Sequence, residues 1–162
     1  MGFNQVTRGP ALVGEVAFVD AGVSMDILRT SITAPADGSE QDTGLDIPDN
    51  CIVTDVFLNV KTAEATGTTK TIDVGLLSGE SNGDADGFLV GADVSGTGIV
   101  QGTLDSGGQT LGALLTADEG GTGELVPEPH VKNVAESVSF TAGSADFAEL
   151  EADIYVVLLK LN

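Results

Sequence analysis

The stretch Cys51-Ile52-Val53-Thr54-Asp55-Val56-Phe57-Leu58-Asn59-Val60-Lys61 decides the fold. Read with a period of two, Ile52, Val56, Leu58 and Val60 share one face, while Asp55, Asn59 and Lys61 share the other. β-branched residues dominate the apolar set, and along the chain helical periodicity is hard to find. The stretch therefore predicts a strand with one face on a core. Thr69 to Leu77 repeats the pattern with Ile72, Val74 and Leu76 inward, and Asn133 to Thr141 offers Val134, Val138 and Phe140.

Upstream, Gly14 to Val19 and Val23 to Ile32 read as two strands joined through the turn-prone Asp20-Ala21-Gly22, which predicts a hairpin. The last segment, Leu150 to Leu161, is apolar on both faces, as a central strand or one pressed against a neighbouring subunit requires. Between Leu76 and Val126 the chain is Gly-rich, without Lys or Arg, and holds only short apolar pieces. This part is expected to form long loops with short edge strands, with one helical turn over Ala113 to Asp118. Residues 1–12, ending in Gly9-Pro10, carry too little apolar surface to fold alone and read as an N-terminal arm. Residues 13–162 then form a single domain. The fold class expected is all-β: an antiparallel β-sandwich or jelly roll with long Gly/Asp-rich loops, a closed barrel being the alternative.

Composition narrows the function. The 162 residues include 25 Asp and Glu against 6 Lys and Arg, a formal charge of −19 spread along the chain. Nucleic acid and anionic membranes need cations and are excluded as partners. The charge instead suits a solvated, self-repelling surface, a saline milieu or a basic partner. The single cysteine, Cys51, lies in an apolar run and reads as a small core residue. The start lacks the pattern of a secretory signal, and no apolar run is long enough for a membrane helix, so a soluble product made without export machinery is expected.

Catalytic chemistry is thin. His130 is the only histidine and sits in Pro127-Glu128-Pro129-His130, a rigid extended segment that reads as the approach to a strand. Carboxylate pairs are uninformative where acids abound. Sugar stacking is disfavoured by a composition with no Trp, one Tyr and six Phe. One local pattern has ligand spacing. From Asn82 to Asp93 the chain presents oxygen side chains at Asn82, Asp84, Asp86 and Asp93, a Gly at the sixth place and the Phe88 carbonyl at the seventh, as a calcium loop does. Asn82 for Asp and Asp93 for the longer Glu weaken the match, and Asp/Gly-rich turns also serve as plain reversals. A structural calcium ion is the one cofactor this sequence suggests.

Taken together, Ile47-Pro48-Asp49-Asn50, the strand Ile52 to Val60, Thr71-Ile72-Asp73-Val74-Gly75-Leu76-Leu77 and Asp84-Ala85-Asp86-Gly87-Phe88-Leu89 resemble small virion proteins of tailed bacteriophages, of the head decoration (auxiliary capsid, cement) type. The resemblance implies a subunit on the capsid surface, often a homotrimer, that binds the major capsid protein and stiffens the shell. It carries over no catalytic residue, and the chain is expected not to be an enzyme. The alternative is a receptor-binding or tail-fibre tip domain, in which residues 78–126 form the binding loops. A glycosidase or depolymerase is disfavoured by the missing side chains.

Overall fold

Alternating strands are stable only when their apolar faces cover one another, and the computed structural model, described over residues 23–104, 110–118 and 125–161, shows how this chain achieves that. Its strands are β1 (Val23–Thr33), β2 (Gln41–Ile47), β3 (Cys51–Thr62), β4 (Thr71–Leu76), β5 (Asp84–Asp93), β6 (Gly98–Gln101), β7 (Thr116–Asp118), β8 (Leu125–Pro127), β9 (His130–Lys132), β10 (Glu136–Ala142) and β11 (Glu151–Leu161). A 3-10 turn, Ala113–Leu115, precedes β7.

The strands make two antiparallel sheets. The first runs β1-β11-β3-β6, with β9 pairing β3 on the same edge as β6; the second runs β2-β10-β4-β5. β7 and β8 form a separate two-stranded piece closed by the pair Asp118 and Leu125. Val56, Leu58, Ile154 and Val156 of the first sheet and Val74, Leu76, Phe88 and Val138 of the second are fully buried in one core. The expected sandwich is present; the closed barrel is not. β11 is central, between β1 and β3, as its two apolar faces require.

Several expectations need correction. Ile52 does not face the core. The pairing of β3 with β11 slips by one residue between Val157 and Leu158, so Cys51 and Val53 point inward and Ile52 outward. Val134 precedes β10 and is exposed, leaving Val138 and Phe140 as that strand's core residues. The Gly-rich middle contains a ten-residue strand, β5, whose Phe88, Leu89 and Ala92 are core. β2, polar throughout most of its length, pairs β10 in the second sheet. Only the first three residues of the expected helical turn are helical; Thr116 onward is strand. The N-terminal arm and the strand from Gly14 to Val19 lie outside the described residues.

Two glycines admit β5 to its place. A Cβ on Gly75 would stand 1.9 Å from the Asp84 carbonyl oxygen, so β4 needs glycine for β5 to approach. Gly91 has φ +59°, and its N–H donates to the Asp73 carboxylate at 2.6 Å where β5 bends.

One buried carboxylate ties the loops together. Glu64, 1% exposed, follows β3 and accepts from the N–H groups of Thr66 and Gly67 in its own loop. It also accepts from those of Ala148, Glu149 and Leu150 just before β11. These donors hold its carboxyl far below the usual carboxylate range despite burial.

Candidate assembly surfaces

The calcium-type spacing meets a strand instead of a loop. Asp84 pairs with Leu76 and Asp93 with Thr71, at opposite ends of β4. Five residue steps of β4 put them about 17 Å apart. Asn82 lies in the preceding turn, and its N–H donates to Glu136 at 3.1 Å. The Phe88 carbonyl accepts from Gly112 N–H at 2.9 Å, and its ring is buried. The Asp93 carboxylate caps Ser95 N–H at 2.8 Å. Only Asp84 and Asp86 meet, with burial and the facing Asp86 pushing the Asp84 carboxyl up. Asn82, Asp84, Asp86, Phe88 and Asp93 do not converge on a point, and among the described residues no three His, Cys, Asp or Glu side chains gather to hold a metal.

His130 opens β9, half-buried, its ring meeting the edge of Phe88 at 6.4 Å between centroids. Burial and the Lys132 charge lower its pKa, so the imidazole is neutral at pH 7. Two residues on, Lys132 is ion-paired with Glu136, each side chain 2% exposed. Cys51, paired across the strands with Lys132, is buried and donates to the Pro48 carbonyl. Burial pushes its thiol pKa up, which removes thiolate chemistry at neutral pH.

A cleft of about 330 Å³ is lined by Thr54, Asp55, Gln101, Leu111, Pro127 and Glu128 among others. It contains two carboxylates, but no aromatic side chain lines it to stack a sugar ring. Asp55 is engaged by Gln101 Nε2 at 2.7 Å.

The other distinctive surface is the outward face of the first sheet. Directly opposed residues share a face, so the registers place Met25, Leu159, Ile52 and Val131 in one row across four strands, with Ile27 and Val157 in the next. Beyond them Arg29, Tyr155, Phe57 and Gln101 form a third row, with Phe57 and Tyr155 stacked at 5.0 Å and the Arg29 guanidinium 5.9 Å from the Tyr155 ring centre. At the far end Asp153 accepts from Arg29, Lys61 and Ser31 at 2.6–2.7 Å, contacts that hold its pKa at about 2 despite burial.

With this geometry in view, the fold has counterparts. It is similar to a chain of the cyanophage Pam1 capsid asymmetric unit, with a TM-score of 0.51 and 15% identity over 97% of this chain and 94% of that one. The coverage makes the two chains nearly equal in length. Capsid chains of Helicobacter pylori bacteriophage KHP30 (TM-score 0.49, 14% identity, 85% and 89% covered) and Ralstonia phage GP4 (0.48, 19%, 94% and 90%) align more loosely. No protein-family model and no curated protein matches the sequence. The Pam1 likeness is one of fold, and it agrees with the resemblance drawn from the sequence.

The sequence reading found the apolar C-terminal strand but not the sheet face it belongs to. Register alone brings Met25, Ile52 and Val131 beside Leu159, and register depends on bulges that hydropathy does not reveal.

Proposed function

We propose that the chain is a structural protein of a bacteriophage virion that sits on the outer capsid surface as a decoration or cement protein, bound to the major capsid protein. The fold shared end to end with a chain of the Pam1 capsid asymmetric unit is the observation that carries this reading. Physical features support it. The acidic balance of −19 suits an outward surface that keeps crowded particles apart. Cys51 is held as a neutral thiol, and the 330 Å³ cleft lacks a stacking platform, which favours a role without catalysis. A homotrimer is the assembly the resemblance favours.

The test is co-sedimentation of the purified protein with empty capsid shells of the phage that encodes it. Saturable binding at a simple ratio to shell subunits, with a rise in shell melting temperature, is the expected result. Binding to host cells but not to shells would transfer the protein to the tail-fibre tip reading. Cleavage of a host polymer, lost when Asp55 or Glu128 is substituted, would overturn the structural role.

A further inference from the structure

We infer that the outward face of the first sheet is the surface on which a second copy of this chain docks. This goes beyond the reading above: the same face on both copies makes a twofold pair in place of the homotrimer that the resemblance favours.

Met25 is 63% exposed, Ile27 55% and Val131 54%, and they flank the half-buried Ile52, Val157 and Leu159 in two adjoining rows. Strand spacing and rise give the two rows and the neighbouring Val23–Leu161 pair a projected area of about 260 Å², which by itself a soluble monomer can leave open. The whole face, four strands wide and eleven residues long in β1 and β11, spans about 700 Å² by the same spacings, close to the ~800 Å² each partner gives a stable interface.

Charge selects the occupant. On this face Arg29 and Lys61 stand against Asp55, Glu151 and Asp153, two cations to three carboxylates, for a net of −1. The chain as a whole carries −19. Two copies repel each other on most approaches and least through this nearly neutral face, where apolar burial opposes the remaining repulsion. A basic partner would be drawn to the acidic surfaces elsewhere. A face that is apolar and almost uncharged fits an equally apolar, almost uncharged counterpart, and this chain itself supplies one. The aromatic row of Tyr155 and Phe57 beside Arg29 adds the residue types that dominate interface energetics.

The experiment measures the mass of the full chain by sedimentation equilibrium over a concentration series. The parent should sediment as a pair, at twice 16.4 kDa. Met25→Asp/Ile27→Asp, which alters two exposed side chains, should keep the parent's circular dichroism spectrum and a cooperative unfolding transition, with a melting temperature that no longer depends on concentration. Its association should be weaker by at least about a hundredfold, as expected when two apolar contacts are replaced by carboxylates. Ile27→Lys, which brings no like charge to the acidic chain, should also dissociate if apolar burial drives the contact. A parent at 16.4 kDa throughout overturns the inference, whether residues 1–22, the shell or nothing then covers the face. An oligomer that survives unchanged in both variants overturns it as well. Shell co-sedimentation separates this from the virion reading. A parent that oligomerises through this face but ignores shells upholds the inference and sinks decoration. A monomeric parent whose shell binding is lost in the variants does the reverse.

Discussion

Replacing Glu64 by Gln should destabilise this protein almost as much as replacing it by Ala, although Gln has the same shape. One carboxylate oxygen accepts from Thr66 N–H at 2.9 Å, Thr66 Oγ1–H at 2.7 Å and Gly67 N–H at 3.2 Å. The other accepts from Ala148, Glu149 and Leu150 N–H at 3.0–3.1 Å. Whichever way a Gln amide is placed, its NH₂ confronts donors. Thr66, Ala148 and Glu149 are exposed, so water replaces their lost acceptor, but Gly67 and Leu150 are buried. Each buried N–H left bare costs about 1–3 kcal/mol, so Glu64→Ala loses about 4 kcal/mol. Glu64→Gln keeps one acceptor without its charge and loses about 3 kcal/mol. An unfolding entropy of about 0.34 kcal/mol/K for a chain of this length turns these into melting temperatures lower by about 12 and 9 °C.

The pH dependence has a defined sign. Glu64's carboxyl titrates far lower in the native state than unfolded. Its contribution is therefore complete above the unfolded value of about 4.5 and is lost as pH falls toward the native one. The gap between parent and Glu64→Gln, measured by calorimetry, should hold constant from pH 7 to about pH 5.5 and narrow as pH falls through about 4.5 toward 3. A Gln variant that melts with the parent at pH 7 would refute the reasoning, because Glu64 would then merely fill space.

Gly75→Ala sets a Cβ 1.9 Å from the Asp84 carbonyl and should cost about 3 kcal/mol in urea unfolding, since backbone must move. Gly91→Ala meets no atom within 4 Å and bears only the strain of φ +59°, about 1 kcal/mol; equal costs would contradict the packing of β5 on β4. Asp153→Asn should lose about 1 kcal/mol at pH 7, since its partners Arg29 and Lys61 are 52% and 41% exposed. The Asp153 pKa is lowered to about 2, so that contribution is present above about pH 4 and fades as pH falls through 2; a difference constant with pH would remove the ion pairs from the account. Chelator should leave the melting temperature unchanged, because Asp84 and Asp93 end at opposite ends of β4; a drop seen in the parent but not in Asp84→Ala/Asp86→Ala would restore a metal there.

Sequence pattern reached the core where side chains alternate without interruption. Ile72, Val74 and Leu76 are buried as their spacing requires, and the doubly apolar β11 is central. It failed where the backbone departs from a simple pleat. The slip near Val53 reversed Ile52, and no property of Val53-Thr54-Asp55 as side chains announces it. β5 was hidden because Gly87 and Gly91 and three aspartates occupy a strand, each for a local reason of close approach, bend or capping. The same residues mimic a calcium loop, since small flexible and carboxylate residues serve both purposes. β2 was missed because its side chains are mostly polar and Ile47 alone is fully buried. The assembly face was half legible: the apolar C-terminal strand stood out, while its neighbours joined it only through pairing.

The small β7–β8 ribbon carries an engineering consequence. Asp118 and Leu125 are paired partners, so the chain leaves and returns to the ribbon at adjacent points. A foreign peptide or domain whose own ends lie close together therefore has a ready splice site there, at the modest entropic cost of closing a longer loop. If the chain coats a particle as proposed, that junction recurs once per copy and would serve dense, regularly spaced display.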